Sequence, residues 1–153
     1  IFAKNFVAGL VFPVNESVWE HLKIVFTPLL IAGIVRYFAE PKNHKSYWTG
    51  LLVGMITAML IVIFGFYLYS SLLGENLLID IGLYIASIVV ALYLSVWSRT
   101  KIKVSKQIET LAIVLIIIIG IGLVYLTIAP PKFSLFVEKG SGTYGIYKTP
   151  ANY

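Results

Sequence analysis

Four long apolar runs, separated by short polar connections, dominate the hydrophobic pattern of the chain. They cover residues 17–39, 47–73, 77–98 and 108–129. Each run is long enough to cross a bilayer as an α-helix, which needs about 20 residues at about 1.5 Å per residue. Strands exposed to lipid cannot satisfy their backbone groups, and no series of short alternating segments indicates a barrel. The pattern therefore predicts an all-α helical bundle, an integral membrane domain over residues 17–129 with four transmembrane helices.

The two ends of the chain differ from these runs. Residues 1–16 are an apolar segment too short to span alone, which predicts either an interfacial piece or the end of a fifth transmembrane helix that precedes Ile1. The tail, residues 130–153, opens with two prolines and has β-type residues on both sides of Gly140–Gly142. This tail is predicted to form a short C-terminal β-hairpin or to be a disordered or interfacial segment.

Composition agrees with a membrane protein and excludes several kinds of site. Of 153 residues, 59% are hydrophobic and 12% are charged, and the mean hydropathy is +0.89. The absence of cysteine excludes disulfides, thiolate nucleophiles and cysteine-ligated metals within this chain. The net charge of +5 comes from basic residues beside the apolar runs, where orientation in a bilayer explains them. We therefore expect the lipid bilayer, and not a nucleic acid, as the partner.

The positions of Lys and Arg predict the orientation of a multi-pass protein in the cell membrane. Basic residues lie in the connections 40–46 and 99–107, whereas the connection 74–76 carries only Glu75. Positive residues favour the cytoplasmic side, so both basic connections should be cytoplasmic. The stretch Asn15–Lys23 and the C-terminal tail should then be extracytoplasmic.

The stretch Asn15–Lys23, NESVWEHLK, is the part of the chain richest in chemistry. Ser17 and Glu20 have the spacing of a capping box, which predicts that the first span starts close to Ser17. On a helix, Glu16, Glu20 and Lys23 would share one face, which Thr27 continues. This face should point into the bundle or into a water-filled opening.

A third acid, Asp80, lies near the outer end of the third span, at about the depth of Lys23. An ionisable group at that depth costs a few kcal/mol unless it is paired or hydrated, so it is by default a functional or pairing residue. His21 lies roughly 100° around the helix from Glu20 and could reach a neighbouring helix or the tail. The candidate ligand-binding residues are Glu16, Trp19, Glu20, His21, Lys23, Asp80 and Tyr144.

Three interpretations of this polar set stay open. In a structural or interaction subunit without a ligand, the acids complement the helix dipole and Lys23 pairs with Glu20 and Asp80. In a binding protein, alone or as a subunit of a larger membrane complex or a homo-oligomer, the set recognises a small cationic or amphiphilic ligand or an ion, or contributes to transport. In a metal-assisted hydrolase, Glu16, Glu20, His21 and Asp80 would hold a divalent metal.

The binding interpretation leads, and the evidence for an enzyme is the weakest of the three. The only other histidine, His44, is expected in a basic loop on the opposite side of the membrane. A ligand set with one imidazole is far less specific than HExxH, and no nucleophile elbow, P-loop or dinucleotide fingerprint is present. No cofactor is predicted from the sequence, although a divalent metal fits the acidic residues.

Small residues predict where helices approach closely. Gly50, Gly54 and Ala58 form one row at four-residue spacing, and Gly82 with Ala86 forms a second. The fourth span is uniformly apolar and is predicted to carry no chemistry, with Glu109 as an acid at its start.

Residues 13–23, PVNESVWEHLK, resemble the signature of a family of small, uncharacterised multi-spanning membrane proteins of Gram-positive bacteria. Members of that family carry an N-E-S-x-W-E-H-x-K stretch before a span. The resemblance implies an apolar segment that precedes the motif, and it implies no substrate.

Overall fold

Four α-helices make up most of the computed structural model, which describes Gly9 and residues 12–40, 45–138, 140–146 and 149–150. The helices are α1 (Val18–Ala39), α2 (Tyr47–Leu73), α3 (Leu77–Lys101) and α4 (Lys106–Ile128). Each is long and apolar enough to cross a membrane. The predicted helical membrane class is therefore confirmed. His44 and most of the predicted segment 1–16 lie outside the described residues.

The chain divides into two compact units, and α1 and α4 contribute residues to both. The first unit contains Ile1–Ile24 and Ile118–Tyr153, and the second contains Val25–Ile117. The division predicted from the sequence, with segments 1–16, 17–129 and 130–153, stays a proposal.

Within the second unit, α2 and α3 pack closely enough for their backbones to touch. A Cβ atom on Gly50 would lie 2.6 Å from the Ser95 carbonyl oxygen, and one on Gly54 would lie 2.5 Å from that of Ala91. Ala58, the next residue of the row, is fully buried. The predicted small-residue row on α2 is thus confirmed as a helix contact, because only glycine leaves room for the opposing carbonyls.

The second predicted row, Gly82 with Ala86, is wrong as a contact within the described chain. Both residues are exposed, and a Cβ atom on Gly82 would meet nothing within 4 Å. The buried residues of α3 are instead Ser87, Ala91 and Ser98. Ser87 lies about 100° around the helix from Ala86. The helix therefore has two rows of small residues, and α3 buries the row that contains the serines.

The two basic connections of the second unit contact one another. Arg99 Nη1 lies 2.8 Å from Glu40 Oε2, and Arg36 also pairs with Glu40. The hydrogen bond from Arg36, with that from Arg99, holds the pKa of the Glu40 carboxyl below its usual value. The Val104 amide donates to Ser46 Oγ at 3.1 Å. Residues on either side of 41–44 therefore contact the C-terminal end of α3 and the connection that follows it.

The tail of the first unit forms a small antiparallel sheet after a 3-10 helix at Ser134–Phe136. Its strands lie in the order β1 (Val137–Glu138), β2 (Thr143–Tyr144) and β3 (Thr149–Pro150). The predicted hairpin is confirmed, with its turn at the glycines 140 and 142. A third short strand, which the sequence pattern did not predict, pairs with β2.

This sheet is held by an apolar cluster. Phe136, Val137 and Tyr144 are buried together, with Trp19 of α1 and two leucines packed against them. The rings of Trp19 and Phe136 lie 4.8 Å apart between centroids. Because a short hairpin is marginal alone, this packing supplies the stability that its few backbone hydrogen bonds do not.

The tail also returns to the C-terminal end of α4. The Ile146 amide donates to the Thr127 carbonyl at 3.0 Å. Gly145 has a φ of +56°, and a Cβ atom there would lie 2.6 Å from the same carbonyl oxygen. Only glycine fits this combination of left-handed backbone and close approach. The tail is therefore anchored beside the Thr127 side chain.

Candidate functional site

The start of α1 is organised by two short polar side chains. Asn15 Oδ1 accepts a hydrogen bond from the Ser17 amide at 3.0 Å, and Ser17 Oγ accepts one from the Glu20 amide at 3.3 Å. Ser17 thus caps the helix as predicted. The reciprocal half of the predicted capping box is replaced, because Asn15 already satisfies the Ser17 amide. The Glu20 carboxylate is consequently free of capping and accepts other donors.

Glu20 is the centre of the buried polar group of the first unit. Its Oε2 accepts hydrogen bonds from the Val14 amide at 3.1 Å and from Lys23 Nζ at 2.9 Å. Its Oε1 accepts one from Thr127 Oγ1 at 2.5 Å. We call Glu20, Lys23 and Thr127, with the Val14 amide and the Gly9 carbonyl, the Glu20 cluster.

The charges of the Glu20 cluster are almost completely removed from solvent. Glu20 is 1% exposed, Lys23 is 2% exposed and Thr127 is fully buried. The Lys23 ammonium donates to the Gly9 carbonyl at 2.9 Å as well as to Glu20. Burying two charges costs several kcal/mol per ion, and good geometry with further hydrogen bonds offsets that cost. The carboxylate with three donors and the ammonium with two acceptors meet this condition.

Two hydrogen-bond donors beside the start of α1 have no acceptor in the part of the chain that the structure describes. They are Asn15 Nδ2 and Trp19 Nε1, and both atoms are buried. Asn15 as a whole is only 8% exposed. Buried polar groups are nearly always bonded to protein or to an ordered molecule. Besides the Glu20 cluster, whose hydrogen bonds are satisfied, this end of the first unit therefore has two N–H groups that are available to an acceptor.

Glu16 and His21 lie beside the cluster and not in it. Glu16 precedes the first residue of α1 and is exposed, and its backbone amide donates to Glu138 Oε1 at 3.4 Å. Because α1 begins at Val18, Glu16 is not part of the helix and does not share a helical face with Glu20. The predicted common face therefore begins at Glu20. His21 is half-buried, and its Nδ1 lies 2.8 Å from the Ser17 carbonyl oxygen.

Asp80 and Tyr144 have separate surroundings. Asp80 belongs to the second unit, where the Tyr69 hydroxyl donates to its Oδ1. Lys23 is paired with Glu20, so each of the two residues expected to pair with the other has a different partner. Tyr144 is buried in the core of the tail.

The predicted metal site has no counterpart in the described ranges, where no group of three or more His, Asp or Glu side chains is placed to hold an ion. Of the candidate residues, the structure brings Glu20 and Lys23 into one charged pair. Thr127 of α4 was missed, and its hydroxyl lies 2.5 Å from Glu20 Oε1. The prediction that the fourth span carries no chemistry stays a prediction. The sequence signal for Thr127 was a threonine near the C-terminal end of a mostly apolar run, close to the prolines that open the tail.

Comparison with known proteins places the chain in a family. No curated protein and no solved structure matches it. One family model, described as a family of unknown function, matches residues 1–146, nearly the whole chain. The protein with the buried Glu20 cluster therefore belongs to this family of unknown function, DUF6512.

Proposed function

We propose that this multi-pass membrane protein binds a small cation at its outer face, and that the Glu20 cluster is the binding site. The observation that carries the proposal is the burial of a carboxylate and an ammonium in a helix apolar enough to span a membrane. Ionisable groups at such positions are rare and usually mark ion or substrate sites. The cluster could serve recognition alone or a transport step within a larger complex.

The contacts of Lys23 support a cation as the ligand. Its ammonium lies 2.9 Å from both Glu20 Oε2 and the Gly9 carbonyl oxygen. Carboxylate and carbonyl oxygens are the atoms that bind hard cations in proteins. The Lys23 side chain is thus a tethered cation in an oxygen-lined position. A small free cation would occupy the same position when the flexible Lys23 side chain moves away from it.

Thr127 is a second residue that would respond when a free cation replaces the Lys23 ammonium. Its hydroxyl oxygen lies 2.5 Å from Glu20 Oε1 and 2.8 Å from the Leu123 carbonyl oxygen, and its single proton is donated to one of these two acceptors at a time. A hydroxyl also has lone pairs, so it can turn from donor to ligand when a cation enters. Its backbone carbonyl accepts the Ile146 amide of the tail. A movement of Thr127 on cation binding would consequently shift the tail residue Ile146, which is hydrogen-bonded to it.

A thermal unfolding series in detergent tests cation binding. In Lys23→Met the tethered cation is absent, so lithium, sodium, potassium or calcium chloride should raise the unfolding midpoint at concentrations that hardly change the wild type. A cation at 100 times its Kd would contribute about 2.7 kcal/mol. Choline chloride at equal ionic strength should have no effect.

The double variant Glu20→Gln/Lys23→Met is the matched control, because it keeps the shape of the site and removes its carboxylate. It should respond to none of the four cations. If Lys23→Met responds no differently from this double variant, the cluster is an internal ion pair and the structural interpretation replaces ours.

The orientation is part of the proposal. We place the connections 40–46 and 99–107 in the cytoplasm, and Asn15–Lys23 with the tail outside. The contacts that join the two basic connections support their common side, and the excess of Lys and Arg supports the cytoplasm. We also keep two predictions from the sequence. The protein has partner membrane subunits or forms a homo-oligomer, and it comes from a Gram-positive bacterium and its relatives share the N-E-S-x-W-E-H-x-K motif.

Single cysteines test the orientation in a chain that has none of its own. In intact cells, a membrane-impermeant maleimide should label Ser141→Cys at once and Lys103→Cys only after permeabilisation. Ile117→Cys, in the middle of α4, should stay unlabelled in both conditions. Labelling of Lys103→Cys from outside would refute the orientation.

A further inference from the structure

A cleft of about 730 Å³ lies in the second unit, where the two basic connections meet. Three exposed lysines line it, namely Lys45, Lys103 and Lys106. Within the described ranges none of the three takes part in an ion pair. We call this site the lysine cleft. It is independent of the Glu20 cluster, which belongs to the first unit.

One carboxylate, Glu109, also lines the lysine cleft, and its charge is already engaged. Its two oxygens accept hydrogen bonds from the Trp48 and Thr49 amides at 3.0 and 3.1 Å. Glu109 lies in the first turn of α4 as predicted, but its carboxylate caps α2. Three ammonium groups against one carboxylate leave a formal surplus of two positive charges in the cleft. The cleft is therefore suited to an anion.

The walls of the lysine cleft add an apolar surface to this charge. Tyr37 and Trp48 line it, with ring centroids 5.0 Å apart, and Val104 and Ile113 complete the wall. Aromatic rings of this kind are enriched at the level of lipid headgroups. A basic pocket between membrane helices beside an apolar wall matches a headgroup phosphate with the first part of its acyl chains. A free phosphate would use the lysines and leave the wall without a role.

We propose that the lysine cleft binds the phosphate headgroup of an anionic phospholipid. The three ammonium groups would contact the phosphate, and Trp48 would lie against the glycerol and upper acyl chains. Both connections contribute lysines, so the bound lipid would hold them together. This occupant accounts for both the surplus charge and the apolar wall.

Titration of the full-length protein in neutral detergent tests the proposal. Dioctanoyl-phosphatidylglycerol should bind saturably, followed by tryptophan fluorescence and by the unfolding midpoint. Each lysine near an anionic headgroup contributes roughly 5-fold in affinity, so Lys45→Gln/Lys103→Gln/Lys106→Gln should bind roughly 100-fold more weakly. Replacing the same three lysines with arginine should preserve binding. Lys101→Gln/Lys132→Gln, which removes charges outside the cleft, should leave the affinity within roughly 5-fold of the wild type.

Two comparison ligands separate the sources of the phosphate. Dioctanoyl-phosphatidylcholine, which has no net charge, should bind far more weakly, and inorganic phosphate should compete only at much higher concentration. Equal binding of the two lipids would overturn the proposal, as would phosphate as strong as the anionic lipid. Because the lysines are exposed, the triple glutamine variant should unfold at the wild-type midpoint without lipid. Unchanged lipid affinity in that variant would also overturn the proposal.

Discussion

Replacing Glu20 with glutamine is expected to destabilise the protein by about 3–5 kcal/mol, the typical cost of removing one partner of a buried ion pair. The substitution keeps the size of the side chain, and the amide oxygen can still accept two hydrogen bonds, but it removes the negative charge. The Lys23 ammonium, 2% exposed and 2.9 Å from the carboxylate, would then be buried with only the Gly9 carbonyl and a neutral amide beside it. Equilibrium unfolding in detergent, followed by circular dichroism, measures the loss.

A double-mutant cycle identifies the ion pair as the cause. Glu20→Gln/Lys23→Met removes both charges, so it should be more stable than Glu20→Gln alone and should approach the wild type. Glu40→Gln is the control, because it breaks the more solvent-exposed ion pairs with Arg36 and Arg99, for which we expect a smaller effect. If the losses of unfolding free energy in Glu20→Gln and in Lys23→Met added up to the loss in the double variant, Glu20 and Lys23 would not be energetically coupled. Their burial would then need another explanation.

The helices could be predicted from the sequence because a bilayer demands long apolar runs with internally bonded backbones. A close helix contact of α2 followed from Gly50 and Gly54 for a related reason, since small residues allow backbones to touch, but α3 was not predicted as the partner. The choice between the two rows of α3 did not follow. A small residue shows only that a contact is permitted, and the position of the neighbouring helix decides whether it forms.

The candidate site was predictable only as far as it is local. Glu20 and Lys23 are three residues apart on one helix, and their pairing follows from that spacing. Thr127 is 107 residues from Glu20, and its role depends on how α4 and the tail pack within the first unit. Glu16 failed to join the cluster because the helix starts two residues after it, a difference that sequence patterns resolve poorly.

Gly54→Leu is expected to destabilise the second unit by about 1–3 kcal/mol or more, in the range of overpacked cores. The first atom beyond Cα would lie 2.5 Å from the Ala91 carbonyl oxygen and 3.2 Å from Ser95 Cβ. A carbonyl of a regular helix cannot turn aside as a side chain does, so α2 and α3 would have to separate. Separation would cost the burial of Met55, Ala58 and Val62 along the same helix. The unfolding midpoint in detergent should fall clearly.

Two other glycines show whether the opposing backbone is the cause. At Gly82 a Cβ atom meets nothing within 4 Å, so Gly82→Leu should leave the midpoint unchanged or raise it, because leucine favours a helix more than glycine does. At Gly65 a Cβ atom would lie 2.5 Å from the end of the Leu83 side chain, which can change rotamer, so Gly65→Ala should cost little. If Gly82→Leu were as harmful as Gly54→Leu, the loss would reflect leucine in an apolar helix and not the contact between α2 and α3.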